Sequence, residues 1–146
     1  MPKLSTVVYR SRAVDVDTLD LLYLLAQCRA RNRCDGVTGL LVFDQGCFFQ
    51  WMEGPDEPLA RTWRAIRRDP RHEAIEVLAE LAIPMRLFTD WHMQFAMRSE
   101  RDEAALIDGY VTAPADVLDR LHRQPLATSS ILAEFSALGR GPYGRI

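Results

Sequence analysis

Residues 36 to 54 read Gly-Val-Thr-Gly-Leu-Leu-Val-Phe-Asp-Gln-Gly-Cys-Phe-Phe-Gln-Trp-Met-Glu-Gly. Two apolar runs, Val37 to Phe43 and Cys47 to Met52, flank the turn-forming Asp44-Gln45-Gly46. The first run is β-branched and aliphatic, and the second is aromatic-rich and stops at Gly54-Pro55. The pattern is that of a hairpin of two largely buried strands. Gln50 is out of place in it, because a primary amide left unpaired in a buried strand is costly. Either Gln50 faces solvent or bonds the backbone, or it points into a pocket and holds a polar ligand.

The chain around this hairpin has 146 residues, the length of one domain, and 48% hydrophobic content is enough for an ordinary core. A net charge of -2 argues against a nucleic-acid partner. No apolar run approaches membrane-spanning length, and Met1-Pro2-Lys3 leads straight into a strand, so neither a membrane segment nor a signal peptide is expected. Cys28, Cys34 and Cys47 form no CxxC, and His72, His92 and His122 are scattered. No metal site or disulfide framework is expected, and a reducing cytoplasm fits.

Upstream of the hairpin, Leu4 to Ser11 alternates as a first strand, with Val7, Tyr9 and Ser11 on one face. Tyr9 is either a core aromatic whose hydroxyl finds a partner or part of a site. A helix follows from a cap at Asp17 or Thr18 to about Arg33. Leu21, Leu25, Cys28 and Asn32 share one stripe of it. Asn32 at the end of that stripe is either a C-cap or a ligand-facing amide. Arg29, Arg31 and Arg33 offset the helix dipole, or one of them reaches a phosphate.

Downstream, Asp56 is placed as the cap of a second helix to Arg68, with Pro58 in its first turn and Leu59, Trp63 and Ile66 on its core face. Arg67-Arg68-Asp69-Pro70-Arg71-His72 is a solvated helix exit or a phosphate-binding corner. Ile75 to Ile83 and Trp91 to Met97 alternate as two further strands. Trp91 and Met93 share one face of the latter, as core or as cofactor lining. The order implies an α+β fold: a ferredoxin-like β-α-β-β-α-β unit with an added fifth strand and both helices on one sheet face. The groove between the helices is the natural pocket. Composition changes after Arg98, which divides the chain into residues 1–98 and a helical extension at 99–146. Short helices are expected there at Ala105 to Gly109, Pro114 to Arg123 and Ser129 to Leu138.

Six pieces in order resemble the BLUF family, the blue-light sensors that use FAD. They are Tyr9-Arg10-Ser11; Asn32; Gly36-Val37-Thr38-Gly39-Leu40-Leu41; Phe48 to Pro55; Arg68-Asp69-Pro70-Arg71-His72; and Arg86 to Met93. The resemblance covers residues 4 to 98, about two thirds of the chain. It implies a ferredoxin-like fold with the flavin ring between the two helices, and FAD as cofactor. Tyr9 and Gln50 would form the photoactive pair, with Trp91 and Met93 as the switching pair of the last strand. Asn32 would bond the pyrimidine-like edge of the flavin, and Asp69, Arg71 and His72 would lie near its ribityl, phosphate or ring region. Arg31 and Cys28 depart from residues common at those positions. No effector motif follows Arg98, so the implied protein is a short photoreceptor and not an enzyme. Its extension would cap the sheet, transmit the signal to an effector protein or build a homo-oligomer. The alternatives are a flavin-dependent redox enzyme, for which no GxGxxG or nucleophile constellation appears, and a ferredoxin-like interaction module with an empty groove.

Overall fold

The computed structural model describes residues 3–89, 92–98 and 110–138. The hairpin is its centre. Strands β2 (Thr38–Asp44) and β3 (Cys47–Pro55) are joined by Gln45 and Gly46, both at positive φ (50° and 76°). This is the backbone that a two-residue turn matched to strand twist requires. Strand β1 (Leu4–Ala13) pairs antiparallel with β3 on one side and with β4 (His72–Ile83) on the other. Beyond β2 lies β5 (Gln94–Met97), parallel to it, and then β6 (Tyr110–Thr112). The order β4-β1-β3-β2 is the ferredoxin-like one, extended at the β2 edge by β5 and β6.

Helix α1 (Thr18–Asp35) starts with a capping box between Asp17 and Asp20. At its other end the amides of Gly36 and Val37 both donate to the Asn32 carbonyl. Asn32 therefore closes the helix with its backbone and leaves its side chain on the buried stripe, where Leu21, Leu25 and Cys28 are buried as well. Helix α2 (Asp56–Arg68) buries Leu59, Thr62, Trp63 and Ile66. Asp56 opens this helix instead of capping it. Pro55 holds the cap position, and the Asp56 carboxylate accepts the Ser5 hydroxyl.

Both helices lie on one sheet face, over Val7, Tyr9, Leu41, Phe48, Met52 and Phe95. The opposite face carries Val8, Leu40, Val42, Phe49 and Ala96, which pack under α3 (Ala115–Arg123) and α4 (Thr128–Leu138) through Leu118, Leu121, Ile131, Leu132 and Phe135. A one-turn 3-10 helix (Pro125–Ala127) joins α3 to α4. The period-2 pattern of the central strands is apolar on both faces, and the fold answers it with helices on both sides.

Two expectations are corrected and a third is not tested. β5 begins at Gln94, since Met93 is in a bend and Trp91 lies outside the described residues. β6 was read as no element at all. Its three residues carry too little period to be seen, and pairing with β5 makes them a strand. The helix expected at Ala105 to Gly109 also lies outside the described residues.

Gly39 shows how tightly the hairpin is drawn. Its φ is 157°, and a Cβ built there would lie 1.9 Å from the Trp51 carbonyl oxygen. Gly39→Ala is expected to cost about 3 kcal/mol in chemical denaturation, because backbone must move to admit the methyl group.

At the far end of β2, buried Asp44 accepts Arg98 Nε and Nη2 at 3.0 and 2.9 Å and His122 Nε2 at 2.8 Å. Arg98 also reaches Asp119 at 2.7 Å, so β2, β5 and α3 share one polar tie. Burial alone would raise the Asp44 carboxyl, but the hydrogen bonds from Arg98 and His122 prevail and hold it below the usual range. A lowered carboxyl contributes stability above its unfolded value and loses it as pH falls. Asp44→Asn should therefore cost roughly 2 kcal/mol at neutral pH. The gap between variant and parent should narrow below about pH 4, as followed by denaturation midpoint against pH.

Candidate functional site

Cross-strand register brings the site together. Tyr9 stands opposite Gln50, Gln50 opposite Leu41, and Leu41 opposite Phe95, so one row crosses four strands beneath α1 and α2. Gln50 is 2% exposed, which excludes the solvent-facing reading. Its Oε1 accepts the Tyr9 hydroxyl at 2.5 Å, and its Nε2 donates to Met93 Sδ at 3.4 Å. The carboxamide is thus committed at both ends, strongly to a phenol and weakly to a thioether. Burial pushes the Tyr9 phenol well above its ordinary range, so Tyr9 keeps its proton and acts as the donor. Its ring packs against Trp63 with centroids 4.9 Å apart.

Above this row lies a narrow cleft with only about 30 Å³ of cavity volume. Leu24, Cys28 and Arg31 of α1 form one wall, Ile66 of α2 faces them, and Tyr9, Leu41, Phe48 and Gln50 form the floor. Asp69, Arg71 and His72 close one end. Arg71 binds Asp69 through Nε and Nη2, the latter at 2.6 Å, and reaches Gln27 at 3.1 Å. That hydrogen bonding, ahead of the cost of burial, holds the Asp69 carboxyl below its usual range. His72 Nε2 lies 2.6 Å from the Ile66 carbonyl and so carries the proton, which leaves Nδ1 to accept the Ser11 hydroxyl at 2.7 Å. His72 thereby ties β1, α2 and β4 together at the cleft's end.

Asn32 and Met93 stand beside the cleft and not in its lining. Asn32 is 1% exposed; its Nδ2 donates to the His92 carbonyl at 2.7 Å, while Oδ1 is buried with no hydrogen-bond partner. Arg31 Nε is likewise buried without one. An orphaned acceptor and an orphaned donor over a Tyr–Gln pair, between apolar walls, suit a flat aromatic group with polar edges. Admission of a tricyclic ring requires the α1 and α2 side chains above the floor to part. Burial raises the Cys28 thiol, so this wall residue behaves as a small apolar group.

Of the residues singled out from sequence, Tyr9, Gln50, Asp69, Arg71 and His72 line the cleft, and Asn32 and Met93 adjoin it. Leu41, Phe48 and Ile66 line it too and were read only as buried strand or core, while Leu24 lines it and was not singled out. Toward the site, Ser11 was quoted only within a family piece, and Arg29 only as one of three arginines that could reach a phosphate; Arg29 Nε donates to the Met93 carbonyl at 2.9 Å. Ser11 was readable in principle, since it shares the face of Tyr9 two residues on. The Arg29 contact joins α1 to the bend before β5 and leaves no mark in the sequence. Among the described residues there is no group that could hold a metal ion and no helix long and apolar enough to cross a membrane.

Comparison with known proteins bears on the family and the fold. A family model described as "Sensors of blue-light using FAD" matches residues 4–94. Photoactivated adenylate cyclase subunit beta of Euglena gracilis is 36% identical over 94 residues, which is 62% of this chain and 11% of that protein. The blue light- and temperature-regulated antirepressor BluF of Escherichia coli (strain K12) is 38% identical over 104 residues, 68% of this chain and 26% of that one. The chain thus spans only a small part of these curated relatives. Among solved structures, the dark state of BlrB, a BLUF protein, superposes with a TM-score of 0.77 at 30% identity, covering 94% of this chain and 98% of that one. The photo-activated state of BlsA has the same fold, with a TM-score of 0.70 at 22% identity.

Proposed function

This chain belongs to the BLUF family, the sensors of blue light using FAD, and is a flavin-binding light sensor; from that premise we propose that it holds FAD in the cleft between α1 and α2, reads light through Tyr9 and Gln50, and signals to a separate effector. The single observation that supports this most is the hydrogen-bonded chain from Tyr9 through Gln50 to Met93, buried in the floor of the cleft.

The bound flavin supplies absorption of blue light and an excited state that accepts an electron and a proton. The protein's part is the arrangement around it. Asn32 Oδ1 is free to accept from a ring N–H while its amide stays on the His92 carbonyl. Arg31, on the α1 wall, has an uncommitted Nε for a carbonyl or phosphate oxygen. Asp69, Arg71 and His72 shape one end of the cleft and would lie near the ribityl, phosphate or ring region of the bound cofactor. Tyr9 holds its proton at the hydroxyl and directs it to Gln50 Oε1. Exchange of the two ends of the Gln50 carboxamide presents a donor where an acceptor stood, an N–H by rotation or an O–H by tautomerisation. Tyr9 and Met93 then face the opposite chemistry. Two states of one buried amide make a switch, and Met93, with Trp91 nearby in sequence, carries its state toward β5.

Nothing in this arrangement needs a consumed substrate, so the chain acts as a sensor. We take residues 1–98 as the flavin-binding unit and residues 99–146 as an extension whose helices α3 and α4 cap the second sheet face. The cap face or a second copy of the chain offers the route to the effector. Purified protein should be yellow, and a blue flash should move its flavin bands reversibly to longer wavelength. Steady substrate turnover in the dark would favour a redox enzyme instead. Colourless protein from cells with ample FAD would favour an interaction module.

A further inference from the structure

Glu53 is 0% exposed, yet no part of the light-sensing scheme uses it. Its Oε1 accepts the Phe88 backbone N–H, and its Oε2 accepts the Trp51 indole N–H at 3.1 Å. The same β3 residue offers its backbone carbonyl to Arg86 Nη1 at 3.3 Å. Arg86 also binds the Thr38 hydroxyl at 2.9 Å and the Gly36 carbonyl at 2.7 Å. Phe88 packs on Trp51 with ring centroids 5.8 Å apart. A fully buried carboxylate whose own oxygens meet only neutral donors is a costly way to fasten a loop, and an apolar contact would secure it at less expense.

The fastened segment explains the cost. It leads from β4 to the bend that carries Met93, and further along it is fixed on the α1 side. There Asn32 binds the His92 carbonyl at 2.7 Å, Arg29 binds the Met93 carbonyl at 2.9 Å, and His92 Nδ1 donates to the Val37 carbonyl at 3.1 Å. Trp51 follows Gln50 in β3, with its side chain on the opposite sheet face. The carboxylate therefore joins the strand that bears the switching amide to the segment that bears the amide's other partner.

We propose that Glu53 is a positioning residue, a latch that holds the 86–88 segment on β3 and so sets Met93 against the Gln50 amide. The latch rests on the light-sensing role argued above and goes beyond it. Without it, the 86–88 segment keeps only the Arg86 bonds to Thr38, Gly36 and the Glu53 carbonyl, Met93 is held less firmly against β3, and the barrier to return of the amide falls.

The test uses the full chain loaded with flavin. Glu53→Gln keeps the volume and one acceptor oxygen, but turns an N–H toward one of the two donors. Its flavin content should equal the parent's. Exchange of the Phe88 amide proton should rise on the order of tenfold, and dark recovery after a blue flash should be about threefold faster or more. Unchanged exchange at Phe88 overturns the proposal, and so does faster exchange with parental recovery. If Glu53→Gln does not fold, Trp51→Phe decides, because it keeps the carboxylate but removes the indole donor that orients it and part of the ring that packs on Phe88. Faster recovery in that variant supports the latch, and parental recovery overturns it. A parent protein with no reversible red shift sinks the light-sensing reading itself. A parent with the shift, joined to insensitive variants, sinks the latch alone.

Discussion

Gln50→Leu is expected to yield a protein that is still yellow but no longer shifts its flavin bands under blue light. The expected loss is of the whole signal. Leucine fills the volume of the amide without a donor or an acceptor, and Gln50 is the sole link between the Tyr9 hydroxyl and Met93 Sδ that the described residues contain. The cost to stability is bounded. Removing the amide leaves the buried Tyr9 hydroxyl short of its acceptor, about 1–3 kcal/mol, and the added apolar surface in the floor beside Leu41 and Phe48 offsets part of that. Flavin retention follows because Asn32, Arg31 and the walls are untouched. The check is a dark and a post-flash absorption spectrum of the same sample, with the flavin released and quantified. A normal red shift in this variant would remove Gln50 from the switch.

Phe135→Ala in α4 is expected to destabilise the protein by about 3–5 kcal/mol. Phe135 is 1% exposed and packs with Leu132, Leu118 and Phe49 on the sheet face turned away from the cleft. That ring cannot be replaced by collapse of the neighbours, because the sheet on one side is rigid and α3 on the other is tied to Asp44 through His122. Chemical denaturation followed by far-ultraviolet dichroism and by flavin release together gives a sharper result. If the two transitions coincide and both move to lower denaturant, the tail helices and the flavin-binding unit unfold as one body. If flavin release stays at the parental midpoint, the extension is an independent cap. The same reasoning predicts that a chain cut after residue 98 exposes Val8, Leu40, Val42, Phe49 and Ala96 and aggregates.

Much of the fold was legible because its signals are local. The Asn32 stripe on α1 followed from helical spacing, the hairpin from two apolar runs around a turn, and α3 and α4 from short amphipathic runs. Asp56 misled because an acidic residue before a Pro-containing turn is a good cap signature, while its carboxylate had a better use on Ser5. β6 was invisible because three residues define no period. Glu53 was quoted within a family motif, but nothing in its neighbours along the chain says that its carboxylate is fully buried. Its partner Phe88 is far away in sequence, and burial of a charge reads as exposure until the partner is known.

The amino-acid sequence by itself determined which residues share a helix stripe or a strand face, and it set an amide, a phenol and an asparagine where no plain core would carry them. Only the tertiary structure decided that Tyr9 stands opposite Gln50, that Met93 meets the amide's other end, and that α3 and α4 cover the second sheet face. The physical reason is range. Periodicity is written by neighbours a few residues apart, whereas register, and the choice of helix for each face of a two-sided apolar sheet, follow from packing between segments distant in the chain.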